Sequence, residues 1–125
     1  LVALGGEVVV TGPKGTRLVA ADDFFKSLFE TALGPQEIVT AIRVPAARPG
    51  SRCGFAELTR RHGDYAIVGL AATARAAGHG FSHVRLSFFG VGATPLRAKR
   101  AEALLERGDV EAAVTALDLD PPDDV

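Results

Sequence analysis

An acid and the chain's only tyrosine meet within Phe55-Ala56-Glu57-Leu58-Thr59-Arg60-Arg61-His62-Gly63-Asp64-Tyr65-Ala66-Ile67-Val68, at a tight turn between two strand-like stretches. A tyrosine at such a turn presents a flat ring, and flat rings stack on flat cofactors. The same ring can instead shield the apolar end of a sheet, and composition alone favours that use. The remaining chemistry-bearing residues are scattered. His62, His79 and His83 lie in or beside turns, without the cysteine or carboxylate spacing of a metal site. They read as exposed loop and strand-edge histidines. Ser27, Ser51, Ser82 and Ser87 show no Gly-x-Ser-x-Gly elbow. Gly90-Val91-Gly92 precedes a helix-like stretch, but Ala93-Thr94-Pro95 follows, with no third glycine and one amide donor removed. It reads as a strand-end turn. Arg60-Arg61 reads as a solvated strand end. No motif here supports catalysis alone.

The composition narrows the class. Of 125 residues, 47% are apolar and 23% charged, in the range of an ordinary globular domain and not of a disordered chain. A formal net charge of -1 supplies no field for nucleic acid or an anionic membrane. Its longest apolar run, Ala66 to Ala72, is far short of a bilayer span. The single cysteine, Cys53, excludes an internal disulfide framework and a cysteine-built metal or iron–sulfur site, so a reducing cytoplasm is the default. The chain opens at Leu1 without methionine or a basic leader and ends on an acidic, proline-bearing stretch. The expectation is a piece of a longer protein or gene product.

The elements that must position the turn follow from periodicity. Glu7 to Val10 and Thr16 to Ala20 flank Thr11-Gly12-Pro13-Lys14-Gly15 and predict a hairpin. Asp22-Asp23 predicts a short helical turn over Ala21 to Ser27. Glu37 to Val44 alternates as a strand, ended by Pro45. Ala46 to Ser51, with Pro49-Gly50, is the best linker candidate. Beyond it, Gly54 to Arg60, Tyr65 to Arg75 and His83 to Phe89 predict an antiparallel meander. The middle strand is apolar on both faces, and so central or packed on another subunit. The third places Val84, Leu86 and Phe88 inward and His83, Arg85 and Ser87 outward. Thr94-Pro95 predicts a helix start, with Ala98, Ala101, Leu104 and Leu105 on its apolar face. Gly108 ends it, and Asp109 caps a second helix, Val110 to Leu117.

Three stretches in order carry a resemblance that covers essentially the whole chain. Arg60-Arg61-His62-Gly63-Asp64-Tyr65-Ala66 resembles the basic-x-Gly-Asp-Tyr-Ala signature of the FAD-binding medium subunit of molybdenum hydroxylases, the carbon monoxide dehydrogenase and xanthine dehydrogenase family. Thr31 to Pro45 resembles the end of that family's second flavin subdomain. Gly90-Val91-Gly92-Ala93-Thr94-Pro95-Leu96-Arg97-Ala98 with Ala101-Glu102 resembles the strand-to-helix junction of its C-terminal domain.

The resemblance implies an α+β fold: the end of a flavin-binding lobe over residues 1–45, then a three-stranded antiparallel sheet packed with helices over 51–125. It implies that Tyr65 covers one face of the isoalloxazine, that Asp64 shapes the turn, and that Ile38 and Val39 line the cofactor cleft. Glu57 stands near the place where family members commonly carry a cofactor-contacting lysine, and an acid there repels the diphosphate or a reduced flavin anion. The family's two glycine-rich FAD loops are not in this sequence, so its FAD site is incomplete. The implied function is a part of an FAD-dependent oxidoreductase subunit, inactive alone, that passes electrons from iron–sulfur clusters through FAD to an acceptor. Molybdopterin and 2Fe–2S clusters belong, on this reading, to a large and a small partner subunit of a cytoplasmic hetero-oligomer. The alternative is a non-catalytic docking or assembly module without bound cofactor, which the two-sided apolar strand fits equally well.

Overall fold

Val8 and Val10 alternate along one strand and are the largest fully buried side chains, so that strand must lie at the centre of its sheet. It is β1 (Glu7–Gly12), flanked by β2 (Gly15–Ala20) and β5 (Ile38–Arg43), both antiparallel. The computed structural model describes residues 1–78 and 80–118; His79 and the acidic end 119–125 lie outside them. Val8 and Val10 pack with Val19 and Phe24, and Leu1, Ala32 and Leu33 close that core. The helical turn after β2 is shorter than its acids predict. α1 covers Ala21–Phe24 only, and Phe25–Ser27 continues as β3, paired with β4 (Glu30–Thr31). Phe24 turns into the core, and Phe25 meets its ring edge to face.

The second sheet is β6 (Ser51–Thr59), β7 (Ala66–Ala77), β8 (Gly80–Phe89) and the two-residue β9 (Leu96–Arg97), all antiparallel. The predicted three-strand meander is therefore present, with a short fourth strand at its edge. β7 is central, as its two apolar faces require. One face meets α2 (Lys99–Glu106) and α3 (Val110–Asp118) through Leu70, Ala72, Val84, Leu86, Ala101 and Ala113. Thr94-Pro95 does not start α2. The chain first pairs Leu96 and Arg97 with β8, and the helix begins at Lys99. Gly108 and Asp109 do close α2, their amides bonding to the carbonyls of Leu105 and Leu104. Asp109 Oδ1 then accepts from Ala112 N at 3.0 Å and caps α3.

The opposite face of β8 is not solvated as its alternation predicts. Ser87 is buried and Arg85 half-buried; only His83 is exposed, at a register shift where its φ is 53°. The start of the chain covers this face. Thr73 Oγ1 donates to Ala3 O at 2.7 Å, and Arg85 donates to Val2 O from Nε at 2.9 Å and Nη2 at 2.8 Å. Arg85 and Arg97 both hold Asp22, at 2.6 and 2.8 Å. Arg97 also forks onto Glu102, which is 5% exposed and whose Oε1 accepts from Leu86 N at 2.7 Å. Glu106, one turn on, accepts from Val84 N at 2.8 Å.

Removing one partner of a buried pair strands the other charge, which costs far more than losing a surface bridge. Glu102→Ala leaves the Leu86 amide unpaired and Arg97 with Asp22 as its one remaining carboxylate, and is expected to cost about 3 kcal/mol in urea unfolding. Asp22→Ala, on a more open carboxylate, is expected to cost less. Equal losses for the two variants would contradict this ranking.

Candidate functional site

The turn between β6 and β7 is built by its own residues. Asp64 N donates to Arg61 O at 3.2 Å, closing the turn across Gly63, whose φ of 80° favours glycine. The Asp64 carboxylate then does two things: Oδ1 accepts from Tyr65 N at 2.9 Å and Oδ2 from Arg61 Nε at 3.2 Å. Asp64 thus fixes the backbone from which Tyr65 projects. The Tyr65 ring is 95% exposed. Among the described residues it shields no apolar side chain at this end of the sheet: Leu58 and Ile67 stay open at 59% and 50%. Sheet protection is therefore not what this ring does in the chain.

Glu57 is exposed on β6, paired with Gly69 of β7. Gly69 in turn pairs with Phe89, whose ring lies flat where any side chain at 69 would stand; an added Cβ would sit 1.9 Å from it. Phe55, two residues from Glu57, stacks on Phe89 with ring centroids 5.8 Å apart. A carboxylate and two stacked aromatic rings thus share one face of the sheet. The sequence reading omitted Phe55 and Phe89. Their signal was the even spacing of Phe55 and Glu57 on one strand, but the glycine that seats Phe89 beside them is seen only once the register is known.

Ile38 and Val39 sit in a different sheet from the turn, on β5 opposite Thr11 and Val10. β5 is an edge strand, and every one of its residues is exposed. The loop that delivers them is braced. Glu37 accepts from Arg17 through both oxygens, at 2.8 and 2.6 Å, and from Gly34 N at 2.7 Å. Arg17 also reaches Ala32 O at 2.7 Å. The Arg17 guanidinium, and then the Gly34 amide, pull the Glu37 carboxyl down to about 2. The structure therefore joins Tyr65, Asp64 and Glu57 on one hairpin and leaves Ile38 and Val39 on a separate open strand.

Among the described residues no three His, Cys, Asp or Glu side chains gather as a metal site, and no helix is long and apolar enough to cross a membrane. Residues 54–117 match the family model of the CO dehydrogenase flavoprotein C-terminal domain, and residues 1–47 that of the FAD binding domain in molybdopterin dehydrogenase. The chain is 35% identical over 116 residues to the carbon monoxide dehydrogenase medium chain of Hydrogenophaga pseudoflava, covering 92% of this chain and 40% of that one. It is 34% identical over 102 residues to the glyceraldehyde dehydrogenase medium chain of Sulfolobus acidocaldarius, covering 82% and 36% respectively. A solved carbon monoxide dehydrogenase from Hydrogenophaga pseudoflava superposes with a TM-score of 0.87 at 35% identity, over 99% of this chain and 45% of that one. The chain thus spans less than half the length of these relatives.

The Glu37 carboxyl falls from 4.5 to about 2 on folding, so its contribution to stability is complete above pH 4.5 and is lost as pH drops through 2. Glu37→Gln is expected to unfold at lower urea than the parent at pH 7, with the gap narrowing between pH 4.5 and 2. A gap that stays constant over that window would show that the brace does not act through the carboxylate charge.

Proposed function

The chain belongs to the CO dehydrogenase flavoprotein family, and from that premise we propose that it forms part of an FAD-binding electron-transfer subunit of a molybdenum-containing hydroxylase or dehydrogenase. The observation that carries this reading is the Tyr65 ring, 95% exposed on a turn that Asp64 holds rigid. A large ring left bare on a fixed turn is preorganised to take a flat partner at little entropic cost.

The residues fit one end of the cofactor. Tyr65 would cover a face of the isoalloxazine, and Ile38 and Val39 offer apolar surface to the cleft that receives it. Asp64 would not touch the ring; its two hydrogen bonds fix the backbone that carries Tyr65. Glu57 is ill suited to the diphosphate and would disfavour added negative charge near its face of the sheet. The diphosphate needs convergent backbone amides, which the glycine-rich loops absent from this sequence would supply. Bound FAD would supply the redox chemistry, taking up electrons and passing them on. The chain's own part is orientation and exclusion of water at the ring.

On this reading the partners are a molybdopterin-binding large subunit and a 2Fe–2S small subunit, and the location is the cytoplasm, in keeping with Cys53 as a free thiol. A docking module without cofactor is the second reading. It draws on the exposed Ile38, Val39, Ile42 and Val44 at an open sheet edge.

The two readings separate on Tyr65. In the complete flavoprotein, Tyr65→Ala is expected to weaken FAD binding about tenfold or more, through lost stacking and lost area. Tyr65→Phe keeps the ring and should bind nearly as the parent. Neither change should move the melting temperature of the present chain, where the ring packs on nothing. This chain alone should show no tight, stoichiometric FAD uptake by flavin fluorescence. Unchanged affinity in a folded Tyr65→Ala flavoprotein would sink the stacking role.

A further inference from the structure

A cleft of about 340 Å³ lies between the linker after β5 and the ends of β6, β7 and β8 farthest from the Tyr65 turn. From Cys53, at its wall, six residues of β6 lead to Thr59 beside the turn, roughly 20 Å of extended strand. The cleft is therefore separate from the candidate flavin surface. Arg48, Arg75, Arg85 and His83 line it, and among the described residues no Asp or Glu does; Arg52 also borders it, but pairs with Ala74 and projects from the helix face of the sheet. This concentration of one charge sign stands in a chain whose formal net charge is -1.

Arg85 is already neutralised by Asp22. Arg48 and Arg75 enter no ion pair among the described residues. The Arg75 Nε is buried and has no hydrogen-bond partner among the described residues, a state that is costly for a charged donor. Nor is the cleft wall a loose surface. Ser51 N donates to Arg48 O at 3.0 Å and Arg48 N to Ser51 Oγ at 3.1 Å, which ties the linker into a turn. Ala76 N donates to Gly50 O at 2.9 Å and clamps that turn over β7. A Cβ at Gly50 would stand 3.4 Å from the stem of Arg75, so the linker runs directly along the side chain whose Nε is stranded.

We propose that this cleft binds a small oxyanion, a phosphate- or carboxylate-bearing molecule held by the guanidinium groups of Arg48 and Arg75. Planar guanidinium forks match oxyanion geometry and strengthen where water is partly excluded. Leu4, Pro45 and Ala46 add apolar wall, so the ligand has room for a short carbon frame beside its anionic group. The site is independent of whether Tyr65 meets a flavin.

The test is calorimetric titration of the full chain with inorganic phosphate and, separately, with succinate, each at constant ionic strength set by sodium chloride. Saturable binding of either probe is expected, with a matching rise in melting temperature. Phosphate alone would mark a phosphoryl ligand, succinate alone a carboxylate, and both a general oxyanion site. Arg75→Gln should weaken binding about tenfold. Arg48→Gln, at an exposed position that folding does not depend on, should weaken it too, and it decides the matter if Arg75→Gln does not fold. A stabilisation that sodium chloride reproduces, no saturable binding of either probe, or binding undiminished in all folded variants would overturn the proposal.

Discussion

One buried carboxylate organises the molecule. Glu102 lies on α2 against the sheet and cannot stay charged there without partners. It obtains them from the Leu86 amide and the Arg97 guanidinium. Each partner extends the constraint. The amide belongs to β8, so the helix is pinned to the strand; the guanidinium reaches Asp22, so the pair is pinned to the other lobe. Asp22 in turn holds Arg85, which donates twice to Val2 O. A chain of charge-assisted hydrogen bonds thus crosses from α2 through β9 and α1 to the first residues. The Tyr65 hairpin and the β5 strand keep their places because the sheets that carry them are tied together by this chain.

The same helix solves an edge problem on one sheet, while the other sheet leaves its edge unsolved. β9 pairs only two residues of β8, and the amides of Val84 and Leu86 would otherwise face the helix unpaired. Glu106 and Glu102, four residues apart on α2, accept from them in turn. Among the described residues β5 has no such cover. Its free edge and its exposed Ile38, Val39 and Ile42 make it the surface on which further polypeptide gains most by docking. Both functional readings use this strand, as a cleft wall in one and as a contact surface in the other.

Much was legible in the sequence because the signals were local. Alternation marked β5 and β8, an apolar run on both faces marked β7, and turn chemistry marked the first hairpin. The Gly63-Asp64-Tyr65 turn was also legible, since its hydrogen bonds run between residues one and three apart. Gly108 and Asp109 signalled the break between α2 and α3 for the same reason. Where local signals competed with a distant partner, the distant partner won. Thr94-Pro95 has the chemistry of a helix start, yet Leu96 and Arg97 gain more by pairing with β8 and delivering Arg97 to Glu102.

The sequence by itself determined which segments alternate, where they turn, and that a tyrosine stands on a rigid turn. It could not determine which faces meet. Ser87 and Arg85 have the pattern of a solvated face, and that face is covered because residues some eighty positions earlier fold back over it. The Phe55–Phe89 stack over Gly69 and the cationic cleft of Arg48 and Arg75 likewise join residues from separate elements. Alternation tells a strand which side chains share a face, but what covers that face is decided by long-range pairing, whose gain in burial and charge compensation appears only when both partners are in place.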